Sequence, residues 1–227
     1  MIAPEVHALA RCRLYAILDL SYVASTEAEA TAAELIRGGA DVIQLRGKQE
    51  TVAELSRLAE RLHRLTSPAG VPLIINDHPE IARDVALEGL HLGQDDSSIA
   101  SAREIVRREC WIGKSTHSVA QAVAAAAEGA DYIGFGPLFA TPTKPDYQPT
   151  GTDDIRRVHE LAGGPIFCIG GIKLSNLPSV LAAGAKRVVI VSGLLQSAAI
   201  AAATRAAKQM LEQNQSAAGG SEIRNQK

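Results

Sequence analysis

The chain has 227 residues, the usual size of one (β/α)₈ barrel and also compatible with another large α/β domain. Hydrophobic residues make up 46% of the chain and aromatic residues only 4%, so the core must be mainly aliphatic. A formal net charge of -2 argues against a general nucleic-acid surface, and no apolar run reaches the roughly 20 residues that a membrane helix needs.

One pattern recurs along the chain: a helix-like stretch ends in glycine, a short β-branched run follows, and a polar turn comes next. Glycine relieves the left-handed conformation in which many helices end. The apolar runs are nearly continuous, as in parallel strands covered on both faces. We expect strands at 13–19, 40–46, 71–76, 89–92, 110–115, 130–136, 164–169 and 186–191. We expect helices at 26–37, 51–66, 79–87, 98–108, 118–128, 152–161, 175–183 and 196–212.

Eight strand–helix units favour a single closed (β/α)₈ TIM barrel in the α/β class, and a doubly wound open sheet is the alternative. We expect the barrel to occupy residues 13–213. Residues 1–12 are read as an N-terminal extension without clear periodicity. Residues 214–227 are rich in Gly, Ser, Asn, Gln and charge, which predicts a disordered tail.

Three helix starts carry capping signals. Thr51 and Glu54 have the spacing of a capping box, and Ser25 and Ser118 are expected to cap the helices that follow them.

The three cysteines, Cys12, Cys110 and Cys168, are widely spaced and form no paired metal-ligand pattern. An odd number of thiols is typical of a reducing compartment. The chain also shows no positively charged segment followed by a short apolar run, as in a secretory signal peptide. The sequence therefore predicts a cytoplasmic protein in which Cys110 and Cys168 are small buried hydrophobes beside strands.

Polar residues concentrate where the strands end, which is where such barrels place their chemistry. In the second strand Gln44, Arg46 and Lys48 alternate, so an extended chain points all three to one face. Two cations and an amide in one row are costly in a core without partners. They predict a pyrophosphate clamp that stabilises a leaving group, and the alternative is that Arg46 and Lys48 lie in solvent.

Carboxylates follow the next two strands. Asn76 and Asp77 end the third, and Asp95 and Asp96 follow the fourth. Mg²⁺ favours one or two carboxylates together with waters and phosphate oxygens. Asp77 and Asp96 therefore predict a magnesium site beside the cationic row, unless each of them caps the helix after it.

Two further segments suit phosphate. A loop of roughly 15 residues follows the sixth strand, long for a compact barrel, and its Thr141, Thr143 and Lys144 supply hydroxyls and a cation. Gly170–Gly171 and Val191–Ser192 follow the last two strands, where bare N–H groups of barrel loops often bind phosphate. The alternatives are an ordinary proline-stiffened loop and tight turns without a ligand.

The histidines offer no compelling Ser–His–Asp arrangement. His91 lies on the fourth strand and is read as a satisfied core histidine. His117, two residues after Ser115, lies near the mouth of the barrel. We expect it to be a structural or substrate-contacting group rather than a general base.

These segments, in this order, resemble the thiamine phosphate synthase family over about residues 13–196. The Gln44-Leu45-Arg46-Gly47-Lys48 segment is similar to the family's pyrophosphate-binding motif. The segment from Gly136-Pro137 through Thr141-x-Thr143-Lys144 is the most specific match. The strand-four motif usually has Glu before its final Asp, and here Asp95 takes that place, so the second metal ligand falls on Asp96.

The resemblance implies a transferase of thiamine biosynthesis that joins 4-amino-5-hydroxymethyl-2-methylpyrimidine pyrophosphate to 4-methyl-5-hydroxyethylthiazole phosphate by a dissociative mechanism. It implies Mg²⁺ on Asp77 and Asp96 and catalytic roles for Arg46, Lys48, Ser115 and Lys144. The implied substrate contacts are Gln44, Arg46, Lys48, Asn76, Ser115, Thr141, Thr143, Lys144, Gly170, Gly171, Val191 and Ser192. A thiazole tautomerase that uses His117 and a non-catalytic ligand-binding barrel are the alternatives.

The expected partners are small phosphorylated molecules, neither nucleic acid nor a membrane. The sequence leaves open whether the chain forms a homo-oligomer.

Overall fold

A computed structural model describes residues 9, 11–141 and 148–222, with side chains as far as residue 216. The strands are β1 Leu14–Asp19, β2 Val42–Arg46, β3 Leu73–Asn76, β4 Gly89–Leu92, β5 Trp111–Thr116, β6 Tyr132–Phe135, β7 Ile166–Cys168 and β8 Val188–Ile190. They form a closed barrel in chain order, in which β1 pairs in parallel with both β2 and β8. The predicted (β/α)₈ barrel is confirmed, and an open sheet is excluded.

Helices follow the strands on the outside of the barrel. They are α1 Ala28–Gly38, α2 Val52–Thr66, α3 Pro79–Val85, α4 Ile99–Ile105, α5 Val119–Ala127, α6 Ile155–Leu161, α7 Leu177–Ala182, the short α8 Ser192–Leu195 and α9 Ile200–Glu222. The stretch predicted as one helix at 196–212 is therefore mostly α9, and α8 precedes it.

Two of the three predicted caps are present. Thr51 and Glu54 form the capping box of α2, each side chain accepting a hydrogen bond from the other residue's backbone N–H. Ser118 caps α5 through its hydroxyl. The prediction for Ser25 is wrong, because α1 begins two residues later than expected and Glu27 holds the N-cap position without a side-chain bond.

Alternation along the strands divides the core into two clusters. The larger cluster lies between the strands and the helices. The smaller one fills the inside of the barrel and consists of Leu9, Cys12, Tyr15, Ile17, Val42, Ile74, Trp111, Tyr132, Phe167 and Val189. Because these apolar side chains fill the amino-terminal part of the interior, the inward-facing residues near the carboxyl ends are left to line a pocket.

The ends of the chain differ in part from the prediction. Leu9 was assigned to the N-terminal extension, but it is fully buried among the side chains inside the barrel. Residues 214–222 continue α9, where the sequence predicts disorder. Once the packed turns of this helix have formed, adding further turns costs less than starting a new helix. Residues 1–8 and 223–227 lie outside the described part.

All three cysteines are buried and free, which confirms the predicted burial of Cys110 and Cys168. Among the described residues, none of the helices combines the length and the apolar character that a membrane crossing requires.

Candidate active site

A pocket opens at the carboxyl end of the barrel, where the strands deliver their last inward-facing side chains. Its lining includes most of the predicted site residues, namely Gln44, Arg46, Asn76, Ser115, His117, Thr141, Gly170, Gly171, Val191 and Ser192. Lys48, Asp77 and Asp96 form a group beside it. Thr143 and Lys144 lie outside the described residues.

Arg46 at the end of β2 is fixed by a residue that the sequence reading missed. Its Nη1 lies 2.6 Å from Oδ2 of Asp19, the last residue of β1. Asp19 is only 1% exposed, and its Oδ1 also accepts hydrogen bonds from the N–H and hydroxyl of Ser21. These hydrogen bonds fix the carboxylate, which in turn holds the guanidinium in one orientation over the pocket. The signal in the sequence was a charged residue at the carboxyl end of a strand.

Lys48 does not lie free in solvent, although its side chain is about half exposed. Its Nζ forms an ion pair with Oδ2 of Asp77. This contact joins the cationic row after β2 to the carboxylate after β3. The alternative in which both cations leave the site is therefore excluded, because Arg46 pairs with Asp19 at the pocket wall.

Asp77 and Asp96 are brought together, and neither acts as a helix cap. The two carboxyl groups lie close enough to shift each other's pKa. His78 is the N-cap residue of α3 and Ser98 that of α4, so the capping alternative is excluded for both aspartates. Asp96 also accepts a hydrogen bond of 2.6 Å from the N–H of Gly93, which holds its carboxylate towards β4.

The pKa values of the two carboxyl groups are shifted in opposite directions. Burial, followed by the hydrogen bond to Asp96, raises the pKa of Asp77 even though Lys48 opposes the shift. Burial acts in the same direction on Asp96, but the hydrogen bonds from Asp77 and from the Gly93 N–H outweigh it and lower the pKa of Asp96. Of the two carboxyl groups, Asp77 therefore takes up a proton more readily, and a cation bound between them would oppose that uptake.

The loop that carries Asp96 is anchored to β5 by two side-chain bonds. The Nζ of Lys114 donates to the carbonyl oxygen of Gly93 at 2.6 Å, and Gln94 Nε2 donates to the carbonyl oxygen of Ser115 at 2.5 Å. Lys114 is only 8% exposed, so its ammonium group adds a buried positive charge near the carboxylate pair. Sequence reasoning missed Lys114, because a lysine inside a strand gives no indication of which loop it reaches.

Gln44 is fully enclosed at the pocket wall. Its Nε2 donates to the hydroxyl of Tyr15 at 2.7 Å. Its Oε1 is buried and has no hydrogen-bond partner among the described residues. An unsatisfied buried acceptor is costly, so this oxygen is suited to a ligand that brings an N–H donor.

The glycines after β7 have a packing role in addition to the predicted one. A Cβ on Gly170 would lie 2.4 Å from the Cα of Pro137, and one on Gly171 would lie 2.7 Å from the Cβ of Phe139. Both residues have a positive φ. Close packing of the β6 and β7 loops therefore requires glycine here whether or not an anion binds. Both glycines nevertheless line the pocket, as do Val191 and Ser192 at the start of α8.

His117 is held rather than left mobile. Its Nδ1 contacts the carbonyl oxygen of Gly136, and its backbone N–H donates to Oε1 of Gln121 at 2.7 Å. The ring lines the pocket. These contacts fit the predicted structural or substrate-contacting role.

The carboxylate pair suits Mg²⁺ better than a metal that needs a complete set of protein ligands. The described residues bring together no cluster of three or more His, Cys, Asp or Glu side chains. Mg²⁺ typically takes one or two carboxylates and completes its coordination with waters and phosphate oxygens. Asp77 and Asp96 are therefore the residues that could hold it.

Comparisons with known proteins agree with this architecture. The family model described as thiamine monophosphate synthase matches residues 14–194. The chain is 39% identical to a thiamine-phosphate synthase of Chloroflexus aurantiacus, with 85% of this chain and 89% of that protein covered. It is 42% identical to one of Halalkalibacterium halodurans, with 81% and 87% covered.

Among solved structures, a thiamine phosphate pyrophosphorylase from Pyrococcus furiosus is similar over the whole barrel. It shares 29% identity and a TM-score of 0.83, with 91% of this chain and 98% of that chain covered. A 3-hexulose-6-phosphate synthase, at 18% identity and a TM-score of 0.68, shares the fold.

Proposed function

This chain belongs to the thiamine monophosphate synthase family, and from this premise we propose how its barrel mouth carries out the reaction. The enzyme is a transferase, a thiamine-phosphate synthase. We infer that it joins the pyrimidine pyrophosphate to the thiazole phosphate and releases pyrophosphate. The convergence of Lys48 with Asp77 and Asp96 beside Arg46 is the observation that carries the proposal.

The pyrophosphate binds on the side of the pocket formed by β2 and β5. Arg46 presents a guanidinium that Asp19 has already oriented, and Lys48 lies beside the carboxylate pair. Ser115 adds a hydroxyl from the end of β5. The sequence motif adds Lys144 from the long loop. Positive charges held in place before the reaction stabilise charge that develops on the leaving group without the cost of reorganising water.

Asp77 and Asp96 would hold Mg²⁺. When bound, this ion would neutralise the negative charge that develops on the pyrophosphate. Lys48 pairs with Asp77, so the carboxylate that would hold the cation also places the Lys48 side chain beside the pyrophosphate site.

The pyrimidine ring lies deeper, against β1 and β2. Gln44 Oε1 is the buried acceptor without a partner among the described residues, and the exocyclic amino group of the substrate is a donor of matching chemistry. Asn76, which lines the same wall, adds a second amide. These contacts would fix the ring so that its methylene carbon faces the thiazole.

The thiazole phosphate binds at the opposite wall, where Gly170, Gly171, Val191 and Ser192 line the pocket. Backbone N–H groups at the start of α8 and in the β7 loop suit an anion. Thr141, which lines the pocket, contributes a hydroxyl group, and the sequence motif adds that of Thr143. Two phosphate sites on opposite walls would hold the two substrates in a reactive orientation.

The reaction then needs no protein nucleophile. The bond between the methylene carbon and the pyrophosphate oxygen breaks, and both electrons leave with the pyrophosphate. The pyrimidine amino group stabilises the resulting cation. The lone pair of the thiazole nitrogen forms the new carbon–nitrogen bond, which gives the thiazolium of thiamine phosphate. The side chains hold, orient and neutralise charge throughout.

Pyrophosphate release, measured with each substrate alone and with both, tests this function. We expect release that needs both substrates and Mg²⁺. Proton exchange on the thiazole without pyrophosphate release would instead identify a tautomerase that uses His117. Binding of both substrates without any turnover would identify a ligand-binding barrel, and either result would overturn the proposal.

A further inference from the structure

Five side chains form a continuous hydrogen-bonded chain through the inside of the barrel, which we call the relay: Gln44, Tyr15, Tyr132, His91 and Ser115. Gln44 Nε2 lies 2.7 Å from Tyr15 Oη, and Tyr15 Oη lies 3.2 Å from Tyr132 Oη. Tyr132 Oη lies 3.1 Å from His91 Nδ1, and His91 Nε2 lies 2.9 Å from Ser115 Oγ. Gln44, His91 and Ser115 line the pocket, whereas the two tyrosines are not part of its lining.

The two tyrosines are built into the barrel with little freedom. Each is 1% exposed, and their rings meet Phe167 edge to face at centroid distances of 5.4 and 5.9 Å. Gly113 leaves room for Tyr132, because a Cβ there would lie 2.1 Å from the Tyr132 Cζ. Burial, first among the causes, raises the pKa of both phenols above their usual range. Each phenol therefore keeps its proton and has one hydrogen bond to donate.

Because each member has few protons to donate, the hydrogen bonds of the relay can run in only two directions. A phenol has a single proton and a neutral imidazole a single N–H, so the links from Tyr15 to Ser115 must all point the same way. Gln44 presents its Nε2 as a donor to Tyr15. The sense in which Tyr15 donates to Tyr132 is the one that gives the Tyr15 proton an acceptor among the described residues. In this sense Tyr132 donates to His91 Nδ1, and a neutral His91 carries its proton on Nε2 and donates it to Ser115 Oγ.

We propose that the relay orients the Ser115 hydroxyl as a hydrogen-bond donor into the pocket, with Tyr15, Tyr132 and His91 as positioning residues that act through it. This inference rests on the proposed function, in which Ser115 contacts the pyrophosphate. A hydroxyl can either donate or accept, and a serine that accepts from His91 has its own proton left for the ligand. A fixed donor is what a leaving group that gains negative charge requires.

The direction of the relay can be tested without any turnover. Nitrogen-15 NMR of histidine-labelled protein reports which imidazole nitrogen carries the proton, and the His91→Gln variant assigns the His91 signals. We expect the Nε2–H tautomer in the wild type and a mixture of tautomers in Tyr132→Phe or, should that variant not fold, in Tyr15→Phe. An Nδ1–H tautomer in the wild type, or no change in the phenylalanine variants, would overturn the proposal.

Kinetics then test whether the relay acts through Ser115. We expect Tyr132→Phe to lower kcat about three- to tenfold, the range expected for loss of one hydrogen bond, with an unchanged KM for the thiazole phosphate. In a Ser115→Ala background the same change should cause no further loss, because the hydroxyl on which the relay acts is gone. Losses that multiply in the double variant would contradict the proposal.

Thr66→Val is the matched control, because it also removes a buried hydroxyl but lies at the end of α2, outside the relay. It should keep the wild-type kcat. If the wild-type protein released no pyrophosphate, the proposed function would fail, whereas the tautomer of His91 would still decide whether the relay has the proposed direction.

Discussion

Asp77 and Asp96, which follow different strands, lie close enough at the mouth of the barrel to shift each other's pKa. Lys48 forms an ion pair with the carboxylate of Asp77. Three charged residues from three separate segments thus meet at one point beside the pocket. Two carboxylates beside cationic side chains are the kind of protein ligands that Mg²⁺ takes together with waters and phosphate oxygens.

Replacing either aspartate tests this assignment. We expect Asp77→Asn and Asp96→Asn each to weaken Mg²⁺ binding by at least about tenfold, since each removes a charged ligand. The measurement is the dependence of pyrophosphate release on Mg²⁺ concentration. Asp95→Asn is the control, because Asp95 is exposed and adjacent in sequence, and it should keep the wild-type titration. An unchanged titration in Asp77→Asn would remove that residue from the ligand set.

The buried carboxylate of Asp19 offers a second prediction. Asp19→Asn should lower kcat/KM by roughly 10- to 100-fold, because Arg46 loses the charge that orients it. Asp41→Asn is a matched control at the opposite end of the barrel. Asp41 accepts hydrogen bonds from the backbone N–H groups of Arg13 and Leu14 and pairs with Lys208.

Both variants should lower the free energy of unfolding by about 1–3 kcal/mol, the cost of leaving buried partners unsatisfied. Only Asp19→Asn should change the steady-state kinetics. Equal kinetic losses in the two variants would show that Asp19 acts through stability alone.

Lys144 gives a prediction that rests on the sequence motif, because it lies outside the described residues. Lys144→Ala should lower kcat by about 100-fold or more, the usual effect of deleting a group that stabilises transition-state charge. Its melting temperature should match that of the wild type. Lys186→Ala, which removes an exposed cation far from the mouth, should change neither quantity. A loss of stability as large as the loss of rate would mark Lys144 as structural.

His159 predicts how stability depends on pH. Burial, followed by repulsion from Lys186 and Arg187, lowers the pKa of His159 to about 4. The unfolded chain takes up this proton near pH 6.5, whereas the folded protein resists it until about pH 4. Stability should therefore fall as pH decreases across this interval, by on the order of 1–2 kcal/mol after allowance for solvent screening.

Thermal melts of the wild type and of His159→Gln between pH 7 and pH 4 check this expectation. The variant, which has no titrating group at this position, should lose less stability over the interval. Parallel curves for the two proteins would contradict it.

The order of strands and helices was predictable from the sequence because each unit repeats the same local chemistry. The glycine that ends α1 and the apolar run of β2 show this, since neither depends on a distant partner. The wrong prediction of a helix cap also concerns a local feature. Ser25 has a good capping side chain, but the helix begins at Ala28 with Glu27 as its N-cap residue, so Ser25 lies too early in the chain to cap it.

The predicted site was incomplete because partners across the barrel leave no local signal. Arg46 was recognisable as a cation at a strand end, but the buried Asp19 that orients it lies on the neighbouring strand. Tyr15 and Tyr132 look like ordinary core residues, and only their positions inside the barrel reveal the hydrogen bonds between them. His91, read as a satisfied core histidine, indeed has partners, yet it also lines the pocket.

The most direct measurement is a crystal structure of the protein with Mn²⁺, used as an anomalous substitute for Mg²⁺, and pyrophosphate. We expect the anomalous peak between the carboxylates of Asp77 and Asp96, with pyrophosphate oxygens against the metal and against Arg46 and Lys48. A metal bound elsewhere, or pyrophosphate seated away from these cations, would contradict the account.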